Sequence, residues 1–153
     1  MDNRKAFTIV ELLVTVFIIS LLASIVLMNL TQTKGRSRDI KRLSDIALIQ
    51  QSLGAFFDRC STYPATLDLT YECPMESSVT FSSYITKIPL DPTGVNPYEY
   101  SVNNPTVPTD YVLKATLETN NVALTDVLHN AYSTYTPNTV DCTPVLAYCV
   151  IPR

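Results

Sequence analysis

The stretch RKAFTIVELLVTVFIISLLASIV, residues 4–26, carries one carboxylate, Glu11, inside an otherwise uncharged apolar run that follows a basic pair. The apolar run extends over residues 7–30, which as a helix at ~1.5 Å per residue is about 36 Å long, more than the ~30 Å hydrocarbon core of a bilayer. A single membrane-spanning helix is therefore expected here. Arg4 and Lys5 precede it, and the positive-inside rule keeps that end in the cytoplasm and sends the rest of the chain outward. A cleaved secretory signal would have a shorter apolar core of ~7–15 residues, so removal after this run is not expected. A carboxylate within such a helix costs several kcal/mol when unpaired. Either Glu11 faces a partner, or it is eased by the helix N-terminal dipole and reaches toward headgroups. The residue pattern alone leaves these two readings balanced.

The rest of the 153-residue chain suits one modest domain. Net charge is −3, and beyond Ser44 lysine and arginine are sparse, so the basic stripe that neutralises phosphates is missing and direct nucleic-acid binding is not expected. Residues 31–59 change from continuously apolar to amphipathic. Ile40, Leu43, Ile46, Ala47, Ile49, Leu53, Phe56 and Phe57 recur at three- and four-residue steps and form one stripe. Arg36, Arg38, Asp39, Lys41, Arg42 and Asp45 fall largely off it. That charge run reads as a solvated helix face, with headgroup or inter-subunit contact as the functional alternative. One helix over residues 7–59 follows, loosened near Gly35, because glycine weakens a helix interior by ~1 kcal/mol.

Beyond Cys60 lie ten prolines, the punctuation of loops and short strands. Pro64 disfavours helix at Tyr63. A turn is expected at Asp91, Pro92, Thr93 and Gly94, followed by a strand with Tyr98, Tyr100 and Val102 alternating. Residues 111–118 alternate as a second strand, and residues 146–151 make a third. The four cysteines, Cys60, Cys73, Cys142 and Cys149, lack the paired spacing and neighbouring histidines of a zinc site. Two disulfides are expected rather than four reduced thiols, in any of three connectivities, of which the sequential one closes two short loops. Disulfides place this part on an oxidising, extracytoplasmic side. The sole histidine, His129, sits in a Thr/Asn-rich stretch, and neither a phosphate cradle nor a carboxylate pair stands out. No catalytic residue is assigned, and an enzyme is not expected.

The string KAFTIVELLV, with its basic leader, small residue, Phe and then Glu in register, resembles the type IV pilin and type II secretion pseudopilin superfamily. The fragments STYPATL and IPLDPTGVNPYEY are similar to the major, G-type pseudopilin. The resemblance implies an α+β pilin-like fold: a leader (residues 1–6), a transmembrane and filament-core helix (7–30), an amphipathic helix (31–59), and an antiparallel head (60–153) with a disulfide-closed C-terminal loop. It implies cleavage between Ala6 and Phe7 by a prepilin peptidase, N-methylation of Phe7, and Glu11 as an assembly contact with the Phe7 amine of a neighbour. Ala6 stands where the family usually has glycine. Implied partners are copies of the same chain, the peptidase and methyltransferase, an inner-membrane platform protein with its assembly ATPase, and minor pilins or pseudopilins. The implied location is the cytoplasmic (inner) membrane, N-terminus inside, and then a periplasmic or surface filament. A secretion pseudopilus is favoured over a surface pilus, and both over a monomeric anchored binding domain. Family members often carry a calcium-binding acidic loop after the position of Thr119. Here Asn120, Asn121, Asp126 and Asp141 offer oxygens but read equally as turn residues. No cofactor is expected, and the Cys142–Cys149 loop stands in as the C-terminal staple.

Overall fold

Helix α1 runs over Ile9–Cys60 in the computed structural model, which describes residues 7–95, 97–126 and 140–152. The leader residues, Ala6 among them, and His129 lie outside the described residues, as do the side chains of residues 26–31, Thr125 and Asp126. The chain divides into two units, Met1–Gly35 and Arg36–Arg153, while α1 is helix without a break through Gly35, where the sequence suggests loosening.

In the first unit Phe7, at 73%, and the side chains of α1 from Ile9, at 85%, to Ile25 are all exposed and mostly apolar. Among the described residues no helix is long and apolar enough to cross a membrane. The span expected over residues 7–30 includes residues 26–30, whose side chains lie outside those described. The uncharged part that is described, residues 12–25, rises about 21 Å as helix, short of a ~30 Å core.

The second unit begins with the remainder of α1, whose buried face is Asp39, Arg42, Asp45, Ile46, Ile49, Leu53, Phe56 and Cys60. With Ser52, also buried, these positions fall on one side of the helix, each three or four from another of the set, as an amphipathic helix requires. The face is rotated from the expected one at its beginning. Ile40 is 65% exposed and Ala47 is exposed, while Asp39, Arg42 and Asp45 are buried. The expectation of a solvated charged face is thus corrected for these three residues, and the reason is pairing: Arg42 with Asp39 on the helix and with Asp91 and Glu118 beyond it, and Asp45 with Lys41 on the helix and the Tyr98 hydroxyl beyond it. The helix ends as Ser61 turns to φ 54° and donates its N–H to the Phe57 carbonyl (2.7 Å), a left-handed cap.

A short antiparallel ladder follows, β1 (Glu72–Cys73) with β2 (Glu76–Thr80), which the sequence pattern does not announce. Its residues are mostly half-exposed serine, glutamate and threonine, so no apolar alternation marks it. A second sheet is the expected three-stranded meander: β3 (Glu99–Val102), β4 (Tyr111–Thr116) and β5 (Ala147–Val150), in the order β3-β4-β5, antiparallel throughout. Before β3, the turn at Asp91–Gly94 closes with the Gly94 N–H on the Asp91 carbonyl (3.0 Å), and Gly94 takes φ 69°, a conformation that suits a residue without Cβ.

Strand β4 is buried on both faces. Tyr111, Leu113 and Ala115 join Ile46, Ile49, Leu53 and Phe56 of α1 in the main core. On the opposite face Val112 joins Leu117, Leu124, Val140, Cys142, Ala147 and Cys149. The C-terminal segment therefore covers a sheet face that would otherwise meet water. Lys114, also buried, is directly opposite Glu99 and pairs with it at 2.9 Å. The disulfides are Cys60–Cys73, tying the end of α1 to β1, and Cys142–Cys149, tying the C-terminal segment to β5.

Phe56 is the centre of the main core, with Tyr71, Phe81 and Tyr84 each edge-on to it at 6.1, 5.7 and 5.9 Å. Truncating such a residue removes its transfer free energy and leaves a cavity. Phe56→Ala should lower stability by about 3–5 kcal/mol in urea unfolding with the disulfides intact. A loss under about 1 kcal/mol would contradict its central place.

Candidate functional site

At the start of α1, Thr8 precedes the first helical residue and Glu11 follows three positions later. The Glu11 carboxylate accepts from the Thr8 N–H at 3.1 Å and from the Thr8 hydroxyl at 2.9 Å, while Thr8 Oγ1 accepts from the Glu11 N–H at 3.3 Å. This is a reciprocal capping box, which satisfies helix N–H groups that have no partner within the helix. The negative charge also faces the positive end of the helix dipole. The order T-x-x-E ahead of an apolar run was available in the sequence as a signal for Thr8, which the expectation centred on Glu11 passed over. Phe7, Thr8 and Glu11 are thus brought together at one helix end and stay exposed, whereas Ala6 lies outside the described residues. Around them Ile9, Leu12, Leu13, Val16 and Phe17 form an exposed apolar surface, lining a shallow hollow.

The head holds a second charged constellation, built on two residues one turn apart in α1. Arg42, 0% exposed, donates to Asp39 at 2.8 Å, to Asp91 through Nε and again through Nη2 at 3.3 Å, and reaches Glu118 at 2.8 Å. Asp39 spends its other capacity on the segment after β4. It accepts from the Glu118 and Thr119 N–H groups, both at 2.9 Å, and from the Thr119 hydroxyl at 2.6 Å. Arg38 closes the rim by pairing with Glu118. Asp91 also accepts from the Thr93 N–H at 2.8 Å and from its hydroxyl. Every buried side-chain nitrogen and oxygen among the described residues has a partner, the condition under which burying several charges is tolerable. Hydrogen bonding to Arg42 holds the Asp91 carboxyl down at about 2. Bonding to Arg38 first, and then to Arg42, takes Glu118 down to about 2 as well. Burial pushes Asp39 up, but the Thr119 hydroxyl and the two amide N–H groups outweigh it, and the net shift is downward.

Of the residues considered for calcium, Asn121 accepts from the Ala123 N–H at 3.1 Å, and Asp141 from the Thr143 N–H and hydroxyl at 2.9 and 2.7 Å. Both are turn acceptors, and the described residues contain no group of three or more His, Cys, Asp or Glu placed to hold a metal.

Residues 1–27 match the model of the prokaryotic N-terminal methylation motif. Over 111 residues the chain is 32% identical to the type II secretion system core protein G of Escherichia coli (strain K12), covering 65% of this chain and 77% of that protein. The chain belongs to the type II secretion core protein G family. Two further members, from Aeromonas hydrophila and from Vibrio cholerae serotype O1, are each 32% identical, over 63% and 65% of this chain and 72% of theirs. No solved structure matches it. As a core protein G pseudopilin the chain has the pilin-like α+β architecture, its long helix carrying the motif at one end and the antiparallel head at the other.

The lowered carboxyls make the pseudopilin head sensitive to acid. Their folded values lie below the ordinary 3.8 of aspartate and 4.5 of glutamate, so the unfolded chain takes up protons first and stability rises with pH through that interval. The urea midpoint should be flat above about pH 5 and fall as pH drops from there toward about 2. A midpoint unchanged down to pH 2 would contradict the pairing.

Proposed function

We propose that this pseudopilin is a structural subunit, not a catalyst, that is processed between Ala6 and Phe7, methylated on Phe7, and polymerised through its stem helix into the pseudopilus of a type II secretion system. The observation that carries the reading is the first unit of α1: an unshielded apolar helix surface bearing one carboxylate at its N-terminal end, within the methylation motif. An apolar surface of this size calls for either lipid or a like surface to cover it. Before assembly the lipid bilayer does so. The apolar sequence continues through residues 26–30, long enough with residues 7–25 for a single span. The N-terminus is cytoplasmic and the disulfide-bearing head is extracytoplasmic, where thiols oxidise.

Cleavage after Ala6 frees the Phe7 amine beside the capping box. In the filament, stems of neighbouring subunits replace lipid around one another, and the Phe7 ammonium of one meets the Glu11 carboxylate of the next. In a low-dielectric core either charge alone costs several kcal/mol, whereas the pair offsets both and fixes the stagger of adjacent stems. The peptidase and methyltransferase, an inner-membrane platform protein with its ATPase, and minor pseudopilins supply processing, extraction and initiation. The head, with no charged site directed at substrate chemistry among the described residues, forms the filament's outer face.

Glu11→Leu removes the partner of the Phe7 amine but leaves Thr8 Oγ1 to accept from the helix, so the local cost is about 1 kcal/mol, the size of a cap. Membrane insertion, read by cell fractionation, should be normal, while filament recovered by shearing should fall to about a tenth of wild type or less, the ~1.4 kcal/mol level. Wild-type filament yield from this variant would overturn the assembly role.

A further inference from the structure

The segment after β4, which in the resembling family often carries a calcium-binding acidic loop, is held here by a different device. Between Glu118 and Cys142 the sequence provides two carboxylates, Asp126 and Asp141. Calcium takes ~6–8 oxygen ligands, several of them carboxylate. Asn121 Oδ1 and Asp141 Oδ1 already accept from N–H groups two positions ahead, and Asp141 is exposed. This donor set does not fit the ion.

What does reach the segment comes from the helix. Both Asp39 oxygens are directed at it, bonding the N–H groups of Glu118 and Thr119 and the Thr119 hydroxyl. Arg42 then draws the Glu118 carboxylate to the same point and joins it to the Asp91 turn. The arrangement inverts the logic of a cation site. There, carboxylates and carbonyls converge on a metal; here Asp39, Asp91 and Glu118 converge on a guanidinium whose stem is part of the helix. Arginine suits the place because its planar, fixed donors address several carboxylates at once and its charge is permanent. Beyond the clamp, Leu124 enters the second core and the Cys142–Cys149 disulfide closes the return.

We propose that the Arg42–Asp39 cluster fastens the segment leaving β4, at Glu118 and Thr119, to the helix in the role that a divalent cation would play, so that the head folds and holds this segment independently of calcium. The inference concerns the folded subunit and stands apart from filament assembly. The test uses the full chain in detergent micelles, with thermal unfolding and amide hydrogen exchange measured in excess EGTA and again in millimolar calcium chloride. Wild type should give the same Tm and the same protection at Glu118 and Thr119 in both buffers. Asp39→Asn should lose protection at these two amides by about tenfold or more in both, the scale of losing bonds to a charged acceptor. If that variant does not fold, Thr119→Val, which removes one hydroxyl at the clamp, should reduce protection at the same amides less, and again equally in both buffers. A rise in wild-type Tm or protection on adding calcium would overturn the proposal. Unchanged protection in Asp39→Asn, or in Thr119→Val where it is the variant used, would overturn it equally.

Discussion

The guanidinium of Arg42 sits where the helix, the Asp91 turn and the segment leaving β4 meet, and the head is organised around keeping that charge satisfied. It is fully buried with Asp39 and nearly so with Asp91, in a setting where an unpaired charge would cost several kcal/mol. The consequence is specificity as much as stability. Apolar side chains fill the main core below it, and many arrangements of greasy surfaces have similar free energy. Bonds from one residue to three carboxylates on three segments leave far fewer arrangements. The turn at Asp91–Gly94 and the Glu118 end of β4 are thereby set relative to the helix before any apolar contact is counted.

The stem meets the same constraint with the opposite sign. Glu11 lies in an apolar run and finds its partners within its own first turn, from the Thr8 N–H and hydroxyl. Those bonds are modest and exposed, so the carboxylate is held in place without being used up. A carboxylate accepts about four hydrogen bonds, and two from Thr8 leave room for a cation. The capping box is therefore compatible with the assembly contact: it aims the carboxylate at the helix end where a cleaved chain would carry its new amine.

Much of this was legible in the sequence, and the parts that were not share a cause. Helix α1, the Asp91–Gly94 turn and the three-strand meander follow from local signals: apolar spacing of three and four, proline and glycine positions, alternation of Tyr98, Tyr100 and Val102. The hairpin of β1 and β2 carried no such signal because Glu76, Ser77 and Ser78 bury little. Asp39, Arg42 and Asp45 were assigned to solvent because charged residues on a helix usually are. Beyond the in-helix pairs Arg42–Asp39 and Lys41–Asp45, their burial depends on Asp91, Glu118 and Tyr98, each 49 or more positions from the residue it pairs with, and no spacing rule within the helix reaches that far. At the stem the Thr8 signal is local and present in the order T-x-x-E, three residues ahead of the isolated carboxylate. The length of the apolar run is likewise plain in sequence, although the described side chains stop at Ile25.

The stem's processing is read by intact mass with N-terminal peptide mapping, on protein taken from the membrane and from a sheared filament fraction of its native cells. The expected chain begins at Phe7 and carries one added methyl group on its amine, with both disulfides formed. A chain that begins at Met1 in the filament fraction, or one cut after the apolar run, would contradict this processing.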